Sequence, residues 1–209
     1  MTALERFRAL LGDCPLVAII RGVTPHEAAD IGEAIIAAGI RIIEVPLNSP
    51  SPFESIRRLA DRLGDRALVG AGTVLDPADV PRLVEAGGEI AVAPNVNRDV
   101  IAAAVAAGLV ASPGFFTPSE AFEAINAGAQ VLKLFPAEAA TPAVLKAQRA
   151  VLPSNVPVLV VGGVRPDTMR PWLDAGADGF GLGSGIYKPG QSAGDVELQA
   201  RAFVDAVGR

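Results

Sequence analysis

The sequence predicts an α/β fold in which eight short parallel strands alternate with helices. Three observations support this prediction: repeated helix stops, regularly spaced apolar runs, and helix starts between the runs. The stops are five tripeptides ending in Ala-Gly, at positions 37–39, 85–87, 106–108, 126–128 and 174–176. Glycine after a helical pattern supplies the left-handed residue that closes a helix. Each tripeptide precedes a short β-rich run, so each marks a helix-to-strand turn.

Eight apolar runs of strand length follow or separate these stops. They are PLVAIIR (15–21), IRIIEV (40–45), ALVGAG (67–72), EIAVAP (89–94), LVASPG (109–114), QVLKLF (130–135), PVLVVGG (157–163) and DGFGLGSG (178–185). Their starts recur about every 20–28 residues. This spacing leaves room for one helix between successive strands, as in parallel β/α units.

Helix starts lie between the runs, each with a capping side chain followed by proline. They are Thr24-Pro25, Asp76-Pro77, Thr117-Pro118 and Thr141-Pro142. Eight such units in 209 residues predict a (β/α)8 TIM barrel that occupies residues 1–209 as one domain, with residues 2–12 as an extra N-terminal helix over the bottom. An open doubly wound sheet is the alternative, although no glycine fingerprint follows the first run.

Composition excludes several classes of protein. No apolar stretch reaches the 18 or so uncharged residues that a membrane-spanning helix needs. The N-terminal MTALERFRALLGD lacks the apolar block of a signal peptide, which predicts a cytoplasmic protein. One cysteine, Cys14, and one histidine, His26, leave no basis for a disulfide, a thiolate or imidazole metal site, or a histidine triad. A net charge of −5 without a basic run argues against nucleic acid.

The sixth run carries a lysine, Lys133, between apolar residues. The chain has 18 basic residues and only three are lysine, at 133, 146 and 188. Lysine can lose its proton and attack a carbonyl, whereas arginine cannot. Burial in an apolar barrel would lower the pKa of Lys133 and leave a neutral amine, which can form a Schiff base with a ketone.

Active sites of such barrels lie at the carboxyl ends of the strands. Charged residues stand at three of these ends: Arg21, Glu44 and Lys133. Strand alternation allows Glu44 and Lys133 to meet inside the barrel, where Glu44 could transfer protons. The alternatives are an ion pair that only serves the fold, or a lysine that reaches the surface. Arg21 could clamp a carboxylate, or else form a surface ion pair.

Paired glycines end the seventh and eighth runs, where many barrels bind phosphate through backbone N–H groups. The candidates are Gly162 and Gly163 in VVGGV, and Gly183 with the adjacent Ser184 in GLGSG. The alternative is that these glycines only form tight turns. No cluster of Asp, Glu or His suggests a divalent metal, so organic groups are expected to handle charge.

These residues lie in stretches that together resemble the class I aldolases that cleave 2-keto-3-deoxy-6-phospho sugar acids. The matching stretches are IIRGVTPHEA, IEVPLNSP, VGAGTVLDP, AVAPNVN, SPGFFTPSEA, VLKLFPAE, VGGVRPD and GLGSGIY. Each is short, but their order and spacing along nearly the whole chain make the resemblance specific.

The resemblance implies a role for each site residue. Lys133 would form the Schiff base, and Glu44 would be the general acid and base. Arg21 and Thr73 would hold the pyruvyl carboxylate and keto end. Gly162, Gly163, Gly183 and Ser184 would bind the 6-phosphate. It also implies a homotrimer that needs no metal or other cofactor and releases pyruvate and D-glyceraldehyde 3-phosphate from a phosphorylated keto-deoxy sugar acid.

Two positions separate the galactonate-type from the gluconate-type members, whose substrates differ in configuration at C4. The gluconate type typically has Glu-Val-Thr-Leu-Arg-Thr and a threonine before the Gly-Gly pair. Here residues 44–49 read EVPLNS and Val161 precedes Gly162, as in the galactonate type. An apolar wall discriminates less than a hydrogen-bonding one, so some activity on the gluconate epimer is expected.

Two other functions fit the pattern without the resemblance. One is a metal-free barrel isomerase or phosphate-transferring synthase with no covalent lysine. The other is a non-catalytic sugar-phosphate binding protein in which Lys133 and Glu44 only form an ion pair. Trapping with borohydride and pyruvate distinguishes the first from a Schiff-base aldolase. An assay for pyruvate release distinguishes the second from an aldolase.

Overall fold

A computed structural model of the chain describes residues 1–208 and contains nine strands, all parallel to their neighbours. The strands are β1 (Leu16–Ile19), β2 (Ile42–Pro46), β3 (Leu68–Gly72), β4 (Ile90–Val92), β5 (Val110–Ser112), β6 (Gly114–Phe115), β7 (Leu132–Leu134), β8 (Val158–Val161) and β9 (Gly179–Leu182). Every strand residue is buried, as expected of a parallel sheet covered on both faces.

The sheet forms a barrel, and its two terminal strands, β5 and β6, both begin in the fifth predicted run, 109–114. The strand order is β5-β4-β3-β2-β1-β9-β8-β7-β6, so the two terminal strands are consecutive in the chain and only Pro113 separates them. The prediction of one strand over 109–114 was wrong in this detail, because proline has no N–H to continue a ladder. The amide of Val131 on the β7 side still donates to Ala111 (3.3 Å) and that of Lys133 to Pro113 (3.0 Å). The barrel prediction is confirmed, and an open doubly wound sheet is excluded.

Nine α-helices are present within residues 1–208. They are α1 (Ala3–Asp13), α2 (Pro25–Ala38), α3 (Pro52–Leu63), α4 (Asp79–Glu85), α5 (Arg98–Ala106), α6 (Pro118–Asn126), α7 (Pro142–Arg149), α8 (Met169–Asp174) and α9 (Ala193–Val207). Three of the four predicted proline starts are confirmed. The exception is α4, which begins two residues after Pro77, because Asp76 caps a turn through its bond to the amide of Ala78 (2.9 Å).

The predicted helix stops are also confirmed. The third residue of each tripeptide has a positive φ, which glycine adopts without steric cost. These residues are Gly39 (φ 111°), Gly87 (80°), Gly108 (77°), Gly128 (103°) and Gly176 (98°).

Two separate apolar clusters stabilise the fold. The larger one fills the space between the barrel and its helices. The smaller one fills the barrel interior, and α1 closes it from below with Phe7 (fully buried) and Leu11. The interior therefore becomes polar only towards the carboxyl ends of the strands. No helix among residues 1–208 has the length and apolar character to cross a membrane.

Candidate active site

The carboxyl ends of the strands surround a cavity of about 450 Å³, here called the main cavity. Seven of the nine predicted site residues line it: Arg21, Lys133, Val161, Gly162, Gly163, Gly183 and Ser184. A second, smaller cavity lies among barrel-interior residues and is lined by Glu44 together with Lys133 and Val161. Lys133 and Val161 therefore face both spaces.

Lys133 is buried in the barrel interior, with 6% of its surface exposed. It occupies the centre of β7, between Leu132 and Leu134, which pack in the outer cluster, while Val131 packs inside. Its ammonium lies 4.7 Å from the centroid of the Phe135 ring. Burial lowers the pKa of Lys133, Glu44 opposes this shift, and Arg21 adds to it. The alternative of a lysine that reaches the surface is wrong.

Glu44 is the buried carboxylate on β2, with 2% exposure, and its Oε2 has no hydrogen-bond partner among residues 1–208. Burial raises the pKa of Glu44 to about 7, although Lys133 and Arg21 both act to lower it. Among the ion pairs of residues 1–208, none within 4.0 Å joins Glu44 to Lys133. The alternative of an ion pair that only serves the fold therefore has no support.

Arg21 follows β1 at the rim of the main cavity. Its guanidinium donates a hydrogen bond to Oδ1 of Asn48, which follows β2. The next amide, that of Gly22, donates to Oγ of Ser49 (2.9 Å). Arg21 forms no ion pair with the carboxylates of residues 1–208, so the surface-pair alternative is wrong. A neutral acceptor orients its guanidinium, which leaves the full charge for an anionic ligand.

The turns after β8 and β9 present backbone donors to the other side of the main cavity. Gly162 and Gly163 have φ of 118° and 62°, a conformation that exposes successive N–H groups. The amides of Gly163, Val164, Ser184 and Gly185 donate to no acceptor within residues 1–208. Free N–H groups from two adjacent turns, with the Ser184 hydroxyl, make an arrangement suited to a phosphate.

Thr73 is not brought into either cavity. It follows β3 with φ 55°, a left-handed conformation that is unusual for a β-branched residue and costs about 1–3 kcal/mol. The carbonyl oxygen of Gly72, just before it, accepts a hydrogen bond from the amide of Leu47 (2.8 Å). The predicted role of Thr73 at the keto end therefore stays a prediction.

Three further residues of the main cavity with ionisable side chains were missed by the sequence reasoning: Glu138, Tyr187 and Lys188. Glu138 is exposed, and its side chain lies against the Gly162–Gly163 turn. Tyr187 is buried and donates to Oε1 of Glu27 at the start of α2 (3.1 Å). Both residues lie in stretches that carry the family resemblance, VLKLFPAE and GLGSGIY, and Lys188 is one of only three lysines. These were the available signals.

The site can perform amine and carboxyl chemistry. A lowered pKa increases the fraction of neutral amine at Lys133, and a carboxyl with a pKa of about 7 can both give and take protons. In residues 1–208 there is no group of three or more His, Cys, Asp or Glu side chains that could hold a metal ion.

Comparison with known proteins places the chain among aldolases. The family model described as KDPG and KHG aldolase matches residues 8–197. The 2-dehydro-3-deoxy-6-phosphogalactonate aldolase of Escherichia coli K12 is 49% identical over 192 residues, which are 92% of this chain and 94% of the relative. The KHG/KDPG aldolase of the same organism is 32% identical over 167 residues, or 79% of this chain and 77% of the relative.

Two solved structures have the same fold. A native KDPGal structure superposes with a TM-score of 0.91 at 48% identity, covering 93% of this chain and 94% of that one. A cube-shaped protein cage designed by fusing symmetric oligomeric domains also gives a TM-score of 0.91 at 48% identity, covering 92% of this chain and 72% of the cage chain.

Proposed function

The chain belongs to the KDPG and KHG aldolase family of lyases, and we propose that it cleaves 2-dehydro-3-deoxy-6-phospho-D-galactonate into pyruvate and D-glyceraldehyde 3-phosphate. One observation carries the proposal. Lys133, a buried amine with a lowered pKa, lines the main cavity and shares the smaller cavity with Glu44, a buried carboxyl that forms no ion pair with a cation of residues 1–208.

The reaction begins at Lys133. Its neutral amine attacks the C2 ketone of the substrate, and Glu44 moves the protons that convert the carbinolamine to an iminium and water. The iminium accepts the electron pair of the breaking C3–C4 bond while Glu44 takes the C4 hydroxyl proton. D-glyceraldehyde 3-phosphate leaves, C3 of the enamine is protonated, and hydrolysis returns pyruvate and free Lys133.

The substrate is held at its two anionic ends. Arg21 binds the C1 carboxylate. Thr73 lies outside both cavities, and its contact with the keto end is proposed from the family resemblance alone. The turns after β8 and β9, which contain Gly162, Gly163, Gly183 and Ser184, bind the 6-phosphate through their free amides. Arg21, Lys133 and these turns line one cavity, which supports binding of both anionic ends of a single ligand in the space that Lys133 faces.

The choice of the galactonate epimer rests on Val161 and on the relatives. Val161 ends β8 and lines the main cavity beside Lys133, where it presents an apolar wall without a hydroxyl donor. Identity to the E. coli galactonate-type enzyme is 49%, against 32% to the KHG/KDPG enzyme. Pyruvate release from the two epimeric phosphates, assayed side by side, tests this choice. A higher kcat/KM on the gluconate epimer would contradict it.

The covalent step has its own test. Borohydride with pyruvate should trap one adduct per chain on Lys133, located by peptide mass spectrometry. Lys146 and Lys188 are internal controls, because the chain has no other lysine. An adduct on either control, or no adduct, contradicts the Schiff-base assignment. A Lys133→Met variant should keep the fold and lose the adduct.

We further infer that the protein works as a homotrimer in the cytoplasm. The similar cage is built from symmetric oligomeric domains, which supports symmetric self-association of this fold. A phosphorylated sugar acid cannot cross a membrane unaided because of its charge, which favours an enzyme inside the cell. Light scattering of the purified chain tests the trimer. A monomeric mass in solution would contradict it.

A further inference from the structure

Lys188 is a basic residue of the main cavity to which the proposed mechanism gives no role. It follows β9 and lines the cavity together with Ser184 and Gly185, whose amides donate to no acceptor within residues 1–208. Its side chain is exposed, and within the same residues it makes no ion pair and donates no hydrogen bond. The ammonium is therefore available to a ligand in this cavity.

The backbone at Lys188 is held on both sides while its side chain is free. The Lys188 amide donates to Oε1 of Gln191 (2.6 Å), and the Gln191 amide donates back to the Lys188 carbonyl (3.1 Å). On the other side, the Tyr187 amide donates to the carbonyl of Gly183 (3.1 Å), which closes one turn of chain directly after β9. These bonds tie Lys188 to the turn that carries the free amides, so its ammonium and those amides can contact one ligand.

The charges around the main cavity give a second argument. Within residues 1–208, the basic side chains that line it are those of Arg21, Lys133 and Lys188, and the acidic one is that of Glu138. In the proposed function, Arg21 binds the C1 carboxylate and Lys133 reacts as a neutral amine.

The phosphate end of the substrate needs a positive charge of its own. A phosphate monoester carries about 1.5 to 2 negative charges at pH 7, and backbone amides offer it only partial charges. Glu138, against the Gly162–Gly163 turn, repels it. Lys188 is the basic side chain of this cavity that the other two roles leave available.

We propose that Lys188 binds the 6-phosphate of the substrate, and that it selects the phosphorylated sugar acid over the same acid without phosphate. This inference rests on the proposed function, which it deepens. The amides of the two turns fix the position of the phosphate oxygens, and the ammonium adds the attraction of a compact point charge. Lys188 thus contacts the phosphate but none of the reacting carbons, so it should act on KM and not on kcat.

The chain offers a matched control for the loss of this charge. Lys146 is also exposed and without an ion pair in residues 1–208, but it lies on α7 and lines neither cavity. Lys188→Gln and Lys146→Gln therefore remove the same charge from two exposed positions. Lys188→Arg keeps the charge and serves as the conservative variant.

Steady-state kinetics on the phosphorylated substrate at low salt compare the three variants with the wild type. Attraction between one positive and nearly two negative charges about 4 Å apart in water corresponds to about tenfold or more in affinity. Lys188→Gln should therefore raise KM about tenfold with kcat nearly unchanged, and the rise should shrink in high salt. Lys188→Arg should retain most of the wild-type kcat/KM, and Lys146→Gln should match the wild type. An unchanged KM in Lys188→Gln, or an equal rise in Lys188→Arg, overturns the proposal.

The unphosphorylated sugar acid shows whether the charge acts on the phosphate. Its kcat/KM should be lower than that of the phosphorylated substrate in the wild type, and it should be the same in Lys188→Gln. A loss of kcat/KM in Lys188→Gln that is equal on both substrates would mean that Lys188 only supports the structure of the site, and it would also overturn the proposal.

Binding of inorganic phosphate to the unliganded protein does not depend on activity. A phosphorus-31 NMR titration at pH 8 and low salt should give a Kd about tenfold weaker in Lys188→Gln and unchanged in Lys146→Gln. An equal Kd in the wild type and Lys188→Gln, or no binding by the wild type, overturns the proposal. If phosphate binding depends on Lys188 but pyruvate forms no adduct on Lys133, the proposed function fails and the phosphate site remains.

Discussion

The carboxylate of Glu44 lies directly over the Cα of Gly72, so closely that a Cβ at position 72 would overlap both carboxyl oxygens. The two residues are on neighbouring strands, β2 and β3, and Gly72 pairs with Pro46 two residues beyond Glu44. The absence of a side chain at Gly72 on β3 therefore leaves the space that the Glu44 carboxylate occupies.

The Gly72→Ala variant tests this relationship. The added methyl should displace the Glu44 carboxylate, and displacement of a catalytic group by about 1 Å can reduce rates about a hundredfold. Gly72 does not have a positive φ, so alanine introduces no backbone conflict of its own. Gly12→Ala is the control, because nothing lies within 4 Å of its added Cβ. Equal kcat/KM values for the two variants would show that Glu44 tolerates movement.

The Glu44→Gln variant should lose most turnover and gain stability above neutral pH. The folded pKa of Glu44 is about 7 and its ordinary value is 4.5, so folding favours the protonated form. The wild type is therefore destabilised as the pH rises from about 4.5 to 7, by roughly 3 kcal/mol in total. Glutamine carries no charge and avoids this loss.

Urea unfolding at pH 5 and pH 8 checks the effect. The stability difference between Glu44→Gln and the wild type should be small at pH 5 and large at pH 8. The exposed Glu85, replaced by glutamine in the same way, should show no such change with pH. A difference that is equal at both pH values would mean that Glu44 is not the group that titrates.

Much of this site followed from the pattern of the sequence. Strand alternation placed Lys133 and Glu44 inside one barrel, and both lie there because every second side chain of a barrel strand points into the interior. Gly162, Gly163, Gly183 and Ser184 were found because paired glycines on the last two strands are a local signal. The helix stops at the Ala-Gly tripeptides were equally local.

Other features depend on contacts between distant segments. The pattern did not reveal that Pro113 divides the fifth run, because the division depends on which strand pairs with each edge. It also could not show that Thr73 lies outside both cavities, or that Ser112 shares a cavity with Glu44. Such relationships arise from the stagger of the closed barrel, which the spacing of apolar residues does not encode.

The Glu138→Gln variant should strengthen binding of the phosphorylated substrate. The carboxylate of Glu138 lies against the Gly162–Gly163 turn, where the phosphate is proposed to bind, and like charges there repel. Two unit charges about 4 Å apart in water interact by about 1 kcal/mol, so KM should fall about fivefold at low salt. The change should shrink in high salt, where screening is strong.

The Glu85→Gln variant is the matched control for this change, because Glu85 is exposed and lines neither cavity. It should leave KM unaltered. A KM that rises in Glu138→Gln would mean that the Glu138 carboxylate instead accepts a hydrogen bond from the substrate.

The loop after β9 contacts the segment that follows β1 at two points. The hydroxyl of Tyr187, after β9, donates to Oε1 of Glu27 (3.1 Å), which also accepts from the amide of Thr24 (2.9 Å). Two residues further along, Pro189 packs closely on Gly22. A Cβ added to Gly22 would lie 2.7 Å from Cγ of Pro189. The turn proposed to bind phosphate is thereby fixed against the turn that carries Arg21.

The Tyr187→Phe variant removes the first of these contacts and keeps the ring. One hydrogen bond contributes about 1 kcal/mol, or up to about 3 kcal/mol with a charged partner, so a looser phosphate turn should raise KM about fivefold or more. Steady-state kinetics should show the rise in KM with kcat nearly unchanged, because Lys133 and Glu44 are not disturbed. The yield of the pyruvate adduct should also stay the same, since pyruvate carries no phosphate. A lower melting temperature with an unchanged KM would mean that the Tyr187–Glu27 bond only stabilises the fold.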